Sequence, residues 1–175
     1  MGAPHRWKRL PVRVFFDASS AGYAEERKRI VLAGFDQWTK ATNSVIRYVL
    51  VGSEARADVV VRFEPVAFLS TNPRTLGETY LSLHNGWVVR ARMTLAVGDV
   101  RPDELTYVAA HEWGHALGIN GHSDDPNDLM YAATFRYVYP DGRPAPPARF
   151  RGPSERDINT LKICYPSLFA AQQQR

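Results

Sequence analysis

Apolar residues follow two spacings along the chain, and each spacing is typical of one kind of secondary structure. Val59, Val60 and Val61 lack the alternation of a half-exposed strand, which indicates a strand covered on both faces. Asn85-Gly86 separates two apolar runs, and this dipeptide in that setting predicts a hairpin. Runs of β-branched and aromatic residues predict strands over residues 11–17, 45–51, 57–63, 79–84 and 87–97.

Helical spacing occurs in three other segments. Val31, Phe35 and Trp38 recur on one face of the first predicted helix and are expected to face the core. Ser154 opens a capping-box pattern at the start of the last one. The order strand, helix, strands, helix, long loop, helix is typical of the α+β class. The predicted helices span about residues 24–41, 103–117 and 154–165, and residues 119–153 are expected to be mostly irregular.

The composition is that of a globular domain. Of the 175 residues, 45% are hydrophobic and 23% are charged, so the chain can bury a core of its own. We therefore predict a single domain over residues 1–175. No apolar run approaches the roughly 18 residues of a transmembrane helix, so no membrane span is predicted. Residues 1–9 lack the apolar core of a signal peptide, so either the chain is not a secreted precursor or its signal has been removed.

Charge and cysteine content narrow the possible partners and metal sites. The net charge is +4, and apart from small clusters at 6–13 and 143–156 the basic residues are scattered. This distribution is typical of solvated surface charge and lacks a nucleic-acid-binding stripe, so no nucleic-acid partner is predicted. Cys164 is the sole cysteine, which excludes an intrachain disulfide and a thiolate-rich zinc finger. Any metal site must therefore use His, Asp or Glu.

His111, Glu112 and His115 form an H-E-x-x-H pattern within the second predicted helix. Residues four apart lie about 40° apart around a helix, so both imidazoles share one face and can bind one ion. Glu112 lies about 100° from His111, where it can overhang the ion without ligating it, as a general base must. The alternative is a pair of structural histidines on a buried helix.

A catalytic zinc site needs a third protein ligand and an open position. Gly118 can adopt the left-handed conformation that turns the chain sharply out of the helix. His122 follows that turn and is the expected third ligand. Asp124 is the alternative, if an aspartate takes the place of the third histidine.

The segment from His111 to Tyr131 resembles the zinc-binding signature of the metzincins, and specifically of the matrixins. Their pattern is H-E-x-x-H-x-x-G-x-x-H, followed by a methionine-containing turn. Gly118 matches in register, and Met130 corresponds to the Met-turn methionine, a hydrophobic floor beneath the metal. The resemblance covers most of the chain, because the Trp-bearing helix, the Ala57-Asp58 strand start and the Ser-capped last helix follow the matrixin order.

This resemblance implies a zinc-dependent endopeptidase with the metzincin-type zincin fold. That fold has a twisted mixed β-sheet, a backing helix, an active-site helix and a C-terminal helix. An upper subdomain would span about residues 10–118 and a lower one about 119–170. The resemblance also implies one catalytic Zn²⁺ with Glu112 as the catalytic base, and as metal ligands His111, His115 and His122.

The same resemblance implies a peptide or protein substrate that binds as an added strand at the edge of the sheet. Its backbone partners would lie near Arg92 to Ala96. Tyr107, Val108 and the segment after Met130 would line the main specificity pocket, which Tyr107 would make shallow unless it serves only in packing. Peptidases of this kind usually act outside the cell, so an extracellular or periplasmic location is expected, and we expect a monomer.

Several positions depart from the matrixin pattern. The pattern places its third histidine at 121, where this chain has Gly121, with His122 one residue later. The spacing from His122 to Met130 is kept, which indicates a one-residue insertion at Asn120-Gly121. Ala132 stands where astacins and serralysins have a tyrosine. No cysteine-switch motif and no histidine- and aspartate-rich zinc loop are present, so further zinc or calcium sites are not expected. The insertion leaves a second interpretation open, a catalytically inactive zinc-binding interaction module.

Overall fold

The computed structural model describes residues 5–65, 75–131 and 152–172. Six strands in these ranges form one mixed sheet: β1 (Arg6–Trp7), β2 (Val12–Phe16), β3 (Tyr48–Leu50), β4 (Val59–Glu64), β5 (Gly77–His84) and β6 (Trp87–Ala96). The parallel part has the order β1-β6-β4-β2-β3, and β5 pairs antiparallel with β6. Together with the helices, this mixed sheet confirms the predicted α+β class.

Two local predictions for the sheet are confirmed. The three consecutive valines of β4 are all buried, as expected of a strand covered on both faces. The β5–β6 hairpin turns at Asn85 and Gly86, whose φ angles are 50° and 78°. Both residues lie in the left-handed region that a two-residue type I′ turn requires, and asparagine and glycine tolerate it best.

Four helices complete the described fold: α1 (Glu25–Ala41), α2 (Pro102–Ala116), α3 (Glu155–Cys164) and α4 (Pro166–Gln172). The first three confirm the predicted helices to within two residues at each end, whereas α4 was not predicted. α1 packs against α2, and a Cβ atom at Gly34 would lie only 2.5 Å from the Thr106 carbonyl oxygen. In the described parts of the chain, the helices are too short or too polar to cross a bilayer.

The core lies between these two helices and the sheet, and it holds α2 in place. Val31, Phe35 and Trp38 of α1 are fully buried, which confirms the face predicted from their spacing. The Phe35 ring stacks on Trp113 of α2 at a centroid distance of 4.2 Å. The indole N–H of Trp38 donates to the Ala110 carbonyl at 2.8 Å. Aromatic packing therefore fixes the helix that carries the H-E-x-x-H pattern.

Segments from both ends of the described chain meet at the end of α2. The indole N–H of Trp7 donates to the Ala116 carbonyl at 2.8 Å, and the Tyr165 hydroxyl donates to the Leu117 carbonyl at 2.7 Å. The Trp7 backbone N–H in turn donates to the Tyr165 oxygen at 3.2 Å. These bonds satisfy carbonyls that a helix end otherwise leaves without partners. They also explain why a strand of two residues, too short to show a period, forms at β1.

One prediction about the sheet is wrong. Arg92 to Ala96 were expected at a free edge, but they lie inside the sheet, paired with β4 on one side and β5 on the other. Their backbone groups are therefore not available to an added strand. Among the described residues, β5 pairs only with β6, so β5 is the edge strand. The division into subdomains near residue 118 stays a prediction, and residues 132–151 of the predicted irregular segment lie outside the described residues.

Candidate metal centre

His111 and His115 lie one turn apart on α2, as the four-residue spacing predicts. Their Nε2 atoms are 3.2 Å apart, and the rings meet edge to face at 4.8 Å. Both side chains are largely shielded from solvent, because the core fixes the opposite face of the helix. The helix therefore presents two imidazole nitrogens to one point at its end.

A glycine-dependent turn brings the third histidine to the same point. Gly118 has a φ of +107°, and its Cα passes so close to the His5 carbonyl that a side chain would collide with it. Gly121 has a φ of +105°, a left-handed conformation that glycine adopts readily. His122 Nε2 lies 3.2 Å from His115 Nε2, and the ligand atoms of the three histidines all lie within 4.8 Å of one another. Asp124, the alternative third ligand, instead pairs with Arg156 at 3.0 Å.

The hydrogen bonds of two of these rings fix where their protons are. His111 Nδ1 lies 2.7 Å from the Leu129 carbonyl oxygen, and His115 Nδ1 lies 2.9 Å from that of Ile119. A carbonyl oxygen only accepts, so each Nδ1 carries the proton and each Nε2 keeps its lone pair. Lone pairs that face each other at 3.2 Å repel, and a cation between them would remove that repulsion. A tetrahedral zinc with bonds of about 2.0–2.1 Å would separate its nitrogens by about 3.3 Å, so the three residues fit that ion.

Burial keeps these imidazoles in the neutral form that ligates metals. It lowers the pKa of His111 to about 3, and the nearby His115 adds to the shift. Burial also lowers the pKa of His115. Neither ring needs to lose a proton near neutral pH before it can bind a cation.

Glu112 lies beside this cluster, on the adjacent face of α2 and under the edge strand. Its side chain is buried, and the Thr79 hydroxyl of β5 donates to its Oε2 at 2.7 Å. Burial raises the pKa of Glu112 to about 7, the Glu78 carboxylate adds to the rise, and the Thr79 hydrogen bond opposes it. Gly77 permits this close approach, because a Cβ there would lie 2.7 Å from the Glu112 Cγ.

Met130 packs against α2 at Gly114, the residue before His115. It is buried, and a Cβ at Gly114 would lie 2.4 Å from its sulfur atom. The chain from His122 to Met130 returns to the helix, and the Ser123 N–H donates to the Met130 carbonyl at 2.7 Å. The buried Met130 side chain therefore packs against α2 at the residue before His115, and its role as a Met-turn methionine stays a prediction.

The carboxylate of Asp157 in α3 holds this turn in place. It is buried and accepts hydrogen bonds from the backbone N–H groups of Leu129 at 2.9 Å and Met130 at 3.2 Å. It also accepts from Ser154, whose hydroxyl accepts from the Asp157 N–H, which confirms the predicted capping box. The Leu129 carbonyl accepts the hydrogen bond from His111. The Asp157 carboxylate therefore fixes the residue that orients the His111 ring.

The two predicted pocket residues, Tyr107 and Val108, lie on α2 near the histidine cluster and near β5, respectively. The Tyr107 hydroxyl donates to the Leu129 carbonyl at 3.1 Å, and its ring lies 6.4 Å from that of His111. Val108 is buried, and its side chain lies close to Gly77. The segment after Met130 that would complete the pocket lies, from residue 132 onward, outside the described residues.

A cleft of about 540 Å³ runs between β5 and the histidines. Glu112, His115 and His122 all line this cleft. Its lining residues are His5, Gly77, Glu78, Thr79, Tyr80, Leu81, Leu83, Glu112, His115, Ile119, Asn120, Gly121 and His122.

The fold and this histidine cluster are together those of a metzincin-type zinc peptidase domain. A family model described as Matrixin matches residues 6–141. Because the match covers more than half of the chain, the chain belongs to the matrixin family. Membership supports zinc metallopeptidase function in general and implies zinc as the metal and proteins as substrates.

Three contributors to the site were not predicted from the sequence. Thr79 and Gly77 belong to β5, where Thr79 donates a hydrogen bond to Glu112 and Gly77 lies close to it. Asp157 belongs to α3 and accepts a hydrogen bond from the Leu129 N–H. A glycine at the start of a strand can signal a close backbone approach, so Gly77 had a weak local sign. Asp157 was noticed only as part of a helix cap, because its side-chain partners lie 27 and 28 residues away.

Asp157→Ala is expected to lower both the stability of the fold and its affinity for zinc. The Leu129 and Met130 N–H groups would be left buried and unpaired, so the free energy of unfolding should fall by about 2–4 kcal/mol. Zinc affinity should fall by about 10- to 100-fold, because the partner of His111 is no longer fixed. Denaturant unfolding and competition with a chromophoric chelator measure the two effects. Exposed Glu155→Ala in the same helix turn is the control, and equal zinc affinity in both variants would contradict the role given to Asp157.

Proposed function

We propose that this chain is an active zinc endopeptidase. One observation carries the proposal: Glu112, whose side chain is buried, lines the same cleft as His115 and His122, and the Nε2 atoms of those two histidines lie 3.2 Å apart. The cluster alone would suit a structural metal or an inactive module. A carboxylate beside it that can change its protonation near neutral pH favours catalysis.

His111, His115 and His122 would hold the zinc, which leaves one of its four positions for solvent or substrate. When bound, zinc supplies Lewis acidity, which lowers the pKa of a coordinated water to about 7 and polarises a carbonyl oxygen. The carbonyls of Leu129 and Ile119 keep two of the rings oriented.

Glu112 moves the proton. Its carboxylate accepts a proton from the water as that water attacks the carbonyl carbon of the peptide bond. It then donates the proton to the nitrogen, the C–N bond breaks, and an amine and a carboxylate product result. Burial raises the pKa of Glu112 above that of an exposed glutamate, which makes its carboxylate the stronger base.

The substrate would pair with the free side of β5. Ala96 N–H donates to the Leu76 carbonyl, so the alternation of an antiparallel ladder turns the backbone groups of Gly77, Thr79 and Leu81 away from β6. These groups face the cleft and can bond an extended peptide. The site of action would be extracellular or periplasmic, which rests on the family alone.

Glu112→Gln is expected to bind zinc as the wild type does and to lose about 10²- to 10⁴-fold in kcat, because the amide cannot accept the proton. His111→Ala, in contrast, is expected to lose both the zinc and the activity, because it removes one of the proposed metal ligands. Elemental analysis and cleavage of casein or a fluorogenic peptide, with and without a chelator, measure both. Glu26→Gln, at an exposed position of α1 that does not line the cleft, is the matched control. Zinc binding without chelator-sensitive cleavage by the wild type would favour the inactive interaction module.

Thr79 is proposed as a positioning residue for Glu112. Thr79→Val keeps the shape but removes the hydroxyl that bonds Oε2, so kcat should fall about tenfold with little change in KM. Thr79→Ser should restore activity, since the hydroxyl returns. Steady-state kinetics on one peptide decide this, and equal rates for the Val and Ser variants would refute it.

Tyr107 is proposed to limit the depth of the main specificity pocket, so that medium-sized apolar side chains fit. Tyr107→Ala should widen acceptance to larger side chains in a peptide-library cleavage assay, because the ring beside His111 is removed. Tyr107→Phe keeps the ring and should keep the wild-type preference. An unchanged profile in the Ala variant would reduce Tyr107 to a packing role.

A further inference from the structure

Two adjoining grooves flank the surface segment Lys8 to Leu10, with volumes of about 380 and 520 Å³. Five basic residues line them, and we call this surface the basic groove: Arg6, Lys8, Arg9, Arg13 and Arg47. The larger groove also contains Asp58, which forms an ion pair with Arg13 at 2.6 Å. The smaller one contains no acidic residue.

Positive charge predominates at this surface. Its five cations face one carboxylate, that of Asp58. Elsewhere, surface arginines such as Arg62 and Arg90 pair with carboxylates. Lys8, Arg9 and Arg47 are exposed and form no ion pair with any residue that the structure describes. These three cations are available to a partner.

Apart from Ser167 and the basic residues, apolar and aromatic side chains line the smaller groove. The Arg6 guanidinium lies 4.7 Å from the Trp87 ring centroid and covers one of its faces. Leu10, Val45 and Leu168 complete the wall, and Leu168 is 42% exposed. Such a wall offers few hydrogen bonds to sugar hydroxyls, and the covered ring is a poor platform for stacking bases. It fits an acidic polypeptide segment that also carries apolar side chains.

The cleft and the basic groove are lined by consecutive residues of the chain at one point. His5 lines the cleft together with Leu83 near the end of β5, and the next residue, Arg6, lines the groove. Arg6 pairs with Trp87, which follows the hairpin turn of β5 and β6. Antiparallel pairing is slightly more stable than parallel pairing. A peptide antiparallel to β5 would therefore leave the cleft at His5 with the residues N-terminal to its scissile bond.

We propose that the basic groove binds an acidic segment of the substrate, N-terminal to the scissile bond, and so directs the enzyme to acidic proteins. This inference rests on the proposed peptidase function. The binding is separate from the metal centre, because the three free cations do not belong to it. Opposite charges at an exposed surface make such binding sensitive to salt.

Three fluorogenic peptides with one central sequence test the proposal. One carries a block of Glu and Leu before the scissile bond, one carries it after the bond, and one carries Gln and Leu before it. The first should have a KM about tenfold below that of the third at low salt, with similar kcat, and about 0.5 M NaCl should remove most of the difference. The second peptide should resemble the third, and an equal advantage for it would overturn the placement.

Lys8→Glu/Arg9→Glu should abolish the advantage of the first peptide while kcat/KM for the third stays unchanged, which also shows that the variant folds. Arg29→Glu/Lys40→Glu on exposed positions of α1 makes the same charge change and should keep the advantage. If both double variants lost the advantage of the first peptide equally, the effect would come from the net charge of the chain, and binding in the basic groove would be refuted.

Direct binding separates this proposal from the peptidase function. A labelled Glu/Leu peptide should bind the zinc-loaded Glu112→Gln chain in fluorescence anisotropy, and the Lys8→Glu/Arg9→Glu changes should weaken it at least about fivefold. If no peptide is cleaved but this binding holds, the proposed catalysis fails and the groove stands. Two outcomes would refute an acidic polypeptide as the partner. One is that the labelled Glu/Leu peptide does not bind, and the other is that a sulfated oligosaccharide binds the groove whereas the peptide does not compete with it.

Discussion

Imidazole nitrogens with unshared electron pairs face one another at the end of α2, and only a cation makes that arrangement favourable. Two of them are held in this state by carbonyl oxygens, of Leu129 and Ile119, that force the protons to the far side of each ring. Without an ion the cluster is electrostatically unfavourable, so the surrounding fold must hold it together. The stability of the domain and the binding of its metal are therefore coupled.

The fold meets this demand with a rigid helix and a fixed turn. Phe35 and Trp38 pack α2 against α1, so the two histidines on its other face have little freedom. Positive φ angles at Gly118 and Gly121 then reverse the chain within a few residues and bring up His122. On the opposite side, Gly77 lets β5 approach closely enough for a hydroxyl to reach Glu112. Close contacts that exclude any side chain thus surround the reactive groups.

Much of this arrangement could be predicted from the sequence where the geometry is local. Helical spacing places His111, Glu112 and His115, and a glycine after the helix predicts a turn that His122 can follow. Asn85-Gly86 gives the hairpin for the same reason, since the turn type depends on two adjacent residues. Interactions across long sequence separations could not be predicted. Thr79 reaches Glu112 over 33 residues, and the assignment of Arg92 to Ala96 to a free edge was wrong because pairing order is a property of the whole sheet.

Some of the groups that hold the three histidines follow them in the chain. Asp157 and Tyr165 follow all three histidines, yet one fixes the Met-turn and the other binds the carbonyl of Leu117 at the end of α2. On a ribosome, the histidines would emerge well before these supports. A nascent chain therefore carries its metal-binding residues for some time without the framework that aligns them. The turn that contains Met130 and the end of α2 therefore gain these two supports only after the C-terminal helices have been synthesised.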